Sequence, residues 1–235
     1  MDVSKFDLEI EKAIKKFWDT RKSQSKSAKG MDTGNRSSVT GGKQMDGFVF
    51  LLKTVAVECG VPDEWIYTKG SILPGYFRPT KNWDIVIISN EGILIAAAEL
   101  KSQVGSFGNN FNNRTEEALG CAIDLWTAFR ENSFKDQTAP WIGYLMVVEA
   151  SEKSMRVVKI KSPYFHVRKE FENTSYIDRY DLLCKKLVTE RHYNAASVIQ
   201  TSADYRYSSL SNLTSIQTFL RNFTGHLLGS VDQKP

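Results

Sequence analysis

The chain has 235 residues, of which 41% are hydrophobic and 11% aromatic, which is enough for a packed core. Its three cysteines lie far apart without a C-x-x-C pair, which excludes the usual spacing of a zinc finger or a disulfide framework. The sequence has neither a secretion signal nor an apolar stretch long enough to cross a bilayer. We therefore expect one cytoplasmic domain, residues 1–235, with no membrane partner.

The formal net charge of +4 is distributed unevenly along the chain. Residues 1–45 and 151–193 each contain ten basic and six acidic side chains, whereas residues 46–150 contain eight basic and thirteen acidic ones. Basic flanks around an acidic centre suit an enzyme that holds a metal ion with carboxylates and a polyanion with Lys and Arg. Ordinary surface charge is the alternative.

The first predicted element is an amphipathic helix that begins after Ser4 and ends near Arg21. A basic loop, residues 22–30, follows it, either as a phosphate contact or as a solvated segment. Residues 1–43 thus precede a catalytic core, residues 44–150, and a C-terminal strand and helix extension, residues 151–235. The helix is indicated by apolar side chains at helical spacing, namely Phe6, Ile10, Ile14, Phe17 and Trp18.

Glycines, hydroxyl side chains and cations are concentrated in residues 34–47, just before a predicted apolar helix that ends near Cys59. Backbone N–H groups at a helix start, together with cationic side chains, can bind DNA phosphates or bases. A structural Gly-rich turn is the alternative. A first short strand is then predicted at residues 65–68. The predicted DNA contacts of this loop are Asn35, Arg36, Lys43 and Gln44.

Two apolar runs, residues 82–88 and 93–101, are predicted to form β-strands and are separated by only four residues. Such a short turn predicts an antiparallel hairpin, which brings the start of the first strand beside the end of the second. Asp84, Glu99 and Lys101 then meet at one edge of the sheet.

These three residues have the chemistry that phosphodiester hydrolysis needs, because carboxylates bind Mg²⁺ and an amine can orient water or offset phosphate charge. Side chains alternate along a strand, so Glu99 and Lys101 share a face, while Leu100 points away and offers its backbone carbonyl as a further metal ligand. Asp46 is a candidate for an additional acid, since its helix is predicted to start at the same edge. The alternative for Glu99 and Lys101 is a solvated ion pair.

A polar loop, residues 103–114, is predicted after the Glu99 strand. Its amides suit hydrogen bonding to base edges, although a plain solvated loop is the alternative. A helix is predicted from Asn113 to Phe129 and a buried strand over residues 140–148, and this strand–helix–strand order predicts parallel pairing. The predicted DNA contacts of the loop are Gln103, Asn109, Asn110, Asn112 and Arg114.

The C-terminal extension carries less information. A strand is predicted over residues 155–160, and helices are predicted over residues 176–191 and 213–228. The three histidines are scattered, so the sequence supports neither a histidine metal site nor a Ser-His-Asp triad.

The chain resembles the PD-(D/E)xK nuclease fold in its order of elements, which is helix, three strands, helix, strand. This fold is α/β, with a central mixed β-sheet flanked by helices in an αβββαβ core. Trp83 stands where the general motif has proline. The chain also resembles the XhoI-type Type II restriction endonucleases in four segments, residues 34–37 (GNRS), 40–48 (TGGKQMDGF), 82–84 (NWD) and 98–102 (AELKS).

This resemblance implies that Asp84 and Glu99 bind Mg²⁺ and that Lys101 is the catalytic amine. It also implies a homodimer that cleaves both strands of double-stranded DNA at a palindrome, with CTCGAG as the expected target and 5′ overhangs as the products. Two-fold protein symmetry suits a symmetric DNA site. A cognate DNA methyltransferase, acting in trans, is expected to protect the host's own sites.

The residues themselves leave two other functions open. A DNA repair or junction-resolving nuclease would use the same fold and metal site, whereas a non-cleaving DNA-binding module would keep the acids for structural reasons. Plasmid DNA distinguishes these functions, because discrete fragments indicate restriction, preference for branched DNA indicates repair, and retention without cleavage indicates a binding module.

Overall fold

The centre of the structure, a computed structural model that describes residues 2–28 and 43–231, is a mixed six-stranded β-sheet. The strands are β1 (Ile66–Tyr67), β2 (Ile72–Pro74), β3 (Thr80–Asn82), β4 (Ile85–Ile88), β5 (Leu94–Gln103), β6 (Trp141–Glu149), β7 (Ala195–Thr201) and β8 (Tyr207–Ser208). The order in the sheet is β1-β4-β5-β6-β7-β8, and β2 pairs with β3 in a separate hairpin.

Helices cover both faces of this sheet. The α-helices are α1 (Asp7–Ala28), α2 (Asp46–Glu58), α3 (Phe107–Arg130), α4 (Glu152–Met155), α5 (Tyr176–Thr189) and α6 (Ile216–Val231). Short 3₁₀ turns lie at Val3–Phe6, Lys43–Met45, Asp63–Trp65 and Lys169–Phe171. The α/β class and the mixed sheet flanked by helices are therefore as the sequence predicts.

The two faces of the sheet belong to two apolar layers. Helices α1, α2 and α6 cover one face, and α3 and α5 cover the other. On β5, Ala98 and Leu100 point into the first layer and Ala97 into the second. Because both faces are covered, β4 is apolar on both sides, and so is β5 up to Ala98, the residue before Glu99.

Strand pairing sets the geometry of the site. The β4–β5 pair is antiparallel, with Ile85 opposite Ala98, so the predicted hairpin is confirmed. The β5–β6 pair is parallel, with Lys101 opposite Met146, so the predicted crossover is confirmed as well. Strand β7, which lay unrecognised in the C-terminal extension, continues the sheet beside β6.

Two predicted loops are helical. Helix α1 runs to Ala28, beyond the predicted end near Arg21, because the Lys, Gln and Ser residues that follow are compatible with a helix. Helix α3 begins at Phe107, inside the predicted polar loop. Phe107 and Phe111, one helical turn apart, pack on Tyr176, and this packing fixes the first turn of the helix.

The strand predicted over residues 155–160 is wrong. The chain there leaves helix α4 and has no regular structure, and most of its side chains are exposed. Alternating Val, Ile and Lys residues satisfy the strand pattern. Within the described ranges, however, no neighbouring strand pairs with them, and an unpaired strand leaves its backbone groups to water.

The cysteines Cys59, Cys121 and Cys184 are all free and buried. Cys59 lies in the first layer, and the other two lie in the second. Burial raises the pKa of each thiol.

Over residues 2–28 and 43–231, none of the helices combines the length and the hydrophobicity that crossing a lipid bilayer requires.

Candidate active site

Asp84 lies directly before β4, beside the polar end of β5. Its backbone N–H donates to the carbonyl of Ala98 at 3.2 Å, and its carboxylate Oδ2 accepts from the N–H of Leu100 at 2.6 Å. The Asp84 carboxylate therefore touches the peptide that joins Glu99 to Leu100, and the antiparallel hairpin brings the residues together although they are separated in sequence.

Glu99 is a carboxylate almost without solvent contact, since its side chain is only 4% exposed. It points, with Lys101, to the face covered by α3, opposite to the buried side chain of Leu100. The Lys101 ammonium forms an ion pair with Glu99 Oε1, and a second ammonium, Lys81 Nζ, lies 2.6 Å from Glu99 Oε2. One buried acid thus holds two cations, and removing one partner of such a buried pair typically costs about 3–5 kcal/mol.

Lys81 belongs to the site but was missed by the sequence analysis. It lies on β3, where its ammonium also donates to the Asn82 carbonyl at 3.1 Å and sits 4.8 Å from the centre of the Trp83 ring. Trp83, which replaces the proline of the general motif, is buried and forms a floor beneath this cation. The sequence signal was a lysine three residues before Asp84, in the segment between the predicted strands at residues 65–68 and 82–88.

Asp124 of α3 anchors the hairpin that carries Lys81. Its carboxylate Oδ1 accepts from the backbone N–H groups of Tyr76 and Phe77 at 2.9 and 2.7 Å, and its Oδ2 accepts from Nε of Arg78 at 2.9 Å. A side chain at Gly75 would overlap this carboxylate, so glycine is required at the start of the turn. The hairpin is thereby fixed from outside the strands that form it.

The charges of the cluster shift one another's protonation. The pKa of Asp84 is raised from its ordinary 3.8 to about 6, first by burial and then by repulsion from Glu99. The Leu100 N–H and the two lysines lower this pKa, but their effect is smaller. Burial disfavours the charged form of Lys101. Attraction and hydrogen bonding to Glu99 outweigh that effect, so the pKa of Lys101 is raised.

The possible metal ligands in this cluster suit Mg²⁺ better than a metal ion that takes all of its ligands from protein side chains. Among residues 2–28 and 43–231, no group of three or more His, Cys, Asp or Glu side chains is placed to hold an ion. Mg²⁺ binds through one or two carboxylates and keeps places for water and phosphate oxygens, as Asp84, Glu99 and the Leu100 carbonyl would allow. A divalent cation would also relieve the repulsion between Asp84 and Glu99 that raises the Asp84 pKa.

The additional acid and the DNA contacts predicted from the sequence differ in how exposed they are. Asp46 is exposed in the first turn of α2, and its role as an additional acid stays a prediction. Gln44 is buried and donates to the Ser102 hydroxyl, while Gln103 is 3% exposed and donates to the Gly105 carbonyl. Both would have to move in order to meet a DNA base.

The asparagines predicted as loop residues lie instead in the first turns of α3. Asn109 and Asn112 are exposed and lie on one face of the helix, Asn110 is half-buried, and Arg114 pairs with Glu117 at 2.6 Å. Their DNA contacts stay predictions, now from a helix. Lys43 is exposed at the start of the Lys43–Met45 turn, whereas Asn35 and Arg36 lie outside the described residues.

Comparisons with known proteins identify the relatives of this chain. Residues 23–211 match the family model described as Restriction endonuclease XhoI. The chain is 46% identical over 212 residues to the Type II restriction enzyme BstVI of Geobacillus stearothermophilus, covering 86% of this chain and 95% of that protein. It is 45% identical over 193 residues to the Type II restriction enzyme XhoI of Xanthomonas vasicola, covering 80% and 77%.

A further relative, the Type II restriction enzyme AbrI of Azospirillum brasilense, is 42% identical over 172 residues, covering 70% of this chain and 76% of that protein. No solved structure gives a significant match. Since a family model matches most of its length and several relatives are 42% to 46% identical, the chain belongs to the XhoI family of restriction endonucleases.

Proposed function

We propose that this Type II restriction endonuclease requires Mg²⁺, cleaves both strands of double-stranded DNA at the palindrome CTCGAG, and leaves 5′ overhangs. The observation that carries the proposal is the cluster at the end of β5, where Asp84 contacts the peptide between Glu99 and Leu100, and Lys101 contacts Glu99. Two acids and an amine around one strand end are the groups that metal-assisted hydrolysis of a phosphodiester needs.

Asp84, Glu99 and the Leu100 carbonyl would hold the metal. When bound, Mg²⁺ would neutralise charge on the scissile phosphate and make water a better nucleophile. Lys101 would keep its ammonium beside this phosphate and stabilise the negative charge that develops on its oxygens. Lys81 would position the Glu99 carboxylate and supply a second cation to the site.

The proposed target and assembly follow from the resemblance to XhoI-type enzymes and from symmetry. A palindrome presents the same half-site twice, so two copies of this chain related by a two-fold axis would each read one half-site and cut one strand. The enzyme would need a cognate DNA methyltransferase in the same cell. Base reading would come from the exposed asparagines Asn109 and Asn112 of α3 and from the segment that includes Asn35 and Arg36.

The test is digestion of a plasmid with one CTCGAG site. We expect one linear product in Mg²⁺, no cleavage in EDTA, and no cleavage of a matched plasmid in which one base pair of the site is changed. Sequencing the cut ends would give the overhang. Cleavage elsewhere would contradict the proposed target, and full activity in EDTA would contradict the proposed metal dependence.

Branched DNA serves as the comparison substrate. A nuclease that cuts a four-way junction in preference to the plasmid would be a repair or junction-resolving enzyme, and that result would overturn the restriction proposal.

A further inference from the structure

A second concentration of charge lies far along the chain from the catalytic residues. Residues 155–169, called here the basic arm, contain five Lys or Arg residues and neither Asp nor Glu. All of its residues are exposed except Val158 and Val167, which are half-buried. Near its tip, the large side chains of Tyr164 and Phe165 are 87% and 82% exposed. The cations are Arg156, Lys159, Lys161, Arg168 and Lys169.

Most of these cations lack an acidic partner. Arg168 lies 3.2 Å from Glu170. Among the described residues, no Asp or Glu oxygen lies within 4 Å of the charged groups of the other four. A surface that serves only solubility mixes both signs of charge and exposes few aromatic rings. The arm does neither, which indicates an anionic partner with some apolar surface.

The start of the arm is held firmly and is bonded to the chain that follows the arm. At its start, the buried Ser154 hydroxyl donates to the Glu149 carbonyl at 2.6 Å. Farther on, the N–H of Val158 donates to the Thr174 carbonyl at 2.9 Å, and Arg179 donates to the Val158 carbonyl at 3.0 Å. The exposed tip is therefore presented from fixed supports on β6 and at the start of α5.

These supports lie at the same edge of the sheet as the catalytic groups. Strands β5 and β6 are parallel, and Glu149, at the end of β6, accepts from the N–H of Gly105 at 3.0 Å, just beyond the end of β5. Tyr176, at the start of α5, stacks on Phe107, the first residue of α3, with ring centres 5.9 Å apart. Glu99 is paired with Tyr144, five residues before Glu149, a separation of roughly 17 Å along the strand.

We propose that the basic arm binds the sugar–phosphate backbone of duplex DNA that occupies the active site. Lys159, Lys161 and Arg156 would neutralise phosphates, and Tyr164 and Phe165 would pack against sugars or the groove edge. The strand end that supports the arm lies roughly 17 Å along β6 from the level of Glu99, which is less than the width of a duplex, so DNA that occupies the cluster can extend toward the arm. This inference rests on the proposed function and adds a binding surface that serves every DNA sequence equally.

The test compares two charge-matched double variants. Lys159→Ala with Lys161→Ala alters the arm, and Arg130→Ala with Lys135→Ala removes two cations near the other end of the sheet, where Lys135 contacts the Glu91 carbonyl. Affinity for labelled duplexes with and without CTCGAG is measured by fluorescence anisotropy in EDTA, over about 50 to 200 mM KCl.

We expect the arm variant to bind both duplexes about 10-fold or more weakly and to lower the salt slope by about 0.9 for each phosphate that it no longer neutralises. The matched variant should keep the wild-type slope. An unchanged slope for the arm variant would overturn the inference, as would a weakening confined to the CTCGAG duplex, since that would indicate base reading.

The aromatic pair gives an independent measurement. Tyr164→Ala with Phe165→Ala should weaken binding several-fold without changing the salt slope, and thermal unfolding should stay unchanged because both rings are exposed. If this variant instead converts a dimer to monomers with full DNA affinity, the arm is a protein contact and the proposal is overturned. A wild-type protein that binds DNA but fails to cut plasmid would contradict the proposed function and leave the arm result standing.

Discussion

The active-site cluster and the basic arm use positive charge in opposite ways. Lys81 and Lys101 have side chains that are 11% and 25% exposed, and both contact the buried Glu99. Lys159 and Lys161 of the arm are exposed and have no acidic partner among the described residues. Buried charges must be paired and fixed to be tolerated, whereas exposed charges stay solvated until a partner brings opposite charge.

If the cluster is catalytic and the arm binds DNA, as proposed, this difference predicts that chemistry and DNA retention are separable in the molecule. Changes in the cluster should alter the rate of cleavage and the stability of the fold, while changes in the arm should alter affinity alone. Each of the following variants tests whether the two roles are separate.

The largest effect is expected for the acid and the amine at the end of β5. Glu99→Gln and Lys101→Met should each reduce the rate of plasmid cleavage by about 1000-fold or more, because each removes a charge that acts on the metal or the phosphate. Anisotropy in EDTA should show DNA affinity within about 3-fold of wild type.

Glu91→Gln provides the matched control, because Glu91 is an exposed acid in the turn before β5. It should cleave at the wild-type rate. Wild-type cleavage by Glu99→Gln or Lys101→Met would show that the cluster is not the catalytic site.

A smaller loss is expected for Lys81→Met. Glu99 would keep Lys101 as its partner but lose the ammonium at 2.6 Å, so cleavage should fall by about 10- to 100-fold and the free energy of unfolding by about 1–3 kcal/mol. Denaturant unfolding and cleavage assays measure the two quantities. The control is Lys69→Met, since Lys69 is an exposed lysine close in sequence, and it should change neither the cleavage rate nor the free energy of unfolding. Equal effects of the two variants would contradict the proposed role of Lys81.

Asp124→Ala tests whether the Lys81 hairpin is held in place by α3. Loss of the carboxylate leaves the Tyr76 and Phe77 N–H groups without their acceptor, so hydrogen exchange at these amides should accelerate and cleavage should fall by about 10-fold. Asp124→Asn should lose less, because its amide oxygen can still accept from both N–H groups. Slow exchange in Asp124→Ala would contradict the anchoring.

The smallest expected effect is a gain in stability, for Asp84→Asn. The pKa of Asp84, raised to about 6, means that the folded protein binds this proton more tightly than the unfolded chain, so metal-free stability falls as pH rises from about 4 to 6. Asp84→Asn keeps an acceptor for the Leu100 N–H and removes the charge. In EDTA it should be more stable than wild type by about 1–3 kcal/mol at pH 8.

That gain should disappear below about pH 3, where Asp84 is protonated in the folded and unfolded states alike. Thermal unfolding at both pH values measures it. A variant that is less stable than wild type at pH 8 would contradict the assignment of Asp84 as a strained, partly buried acid.

The sequence was sufficient for the β4–β5 hairpin, because two apolar runs around a four-residue turn leave little choice of pairing. It was insufficient for Lys81, because β3 has three residues and its position depends on Asp124, more than 40 residues away. The basic arm gave a false strand signal for a related reason. Alternating apolar and polar side chains form a strand only where a neighbouring strand pairs with them. Among the described residues, no strand pairs with this segment.

The burial of Cys59, Cys121 and Cys184 has a practical consequence. A maleimide dye needs an accessible thiolate, and all three thiols are shielded and have raised pKa values. A cysteine introduced at Ser162 would therefore carry the dye almost alone, without first deleting native residues. Since one native thiol lies on one side of the sheet and two lie on the other, slow background labelling would itself report how often each half of the interior opens.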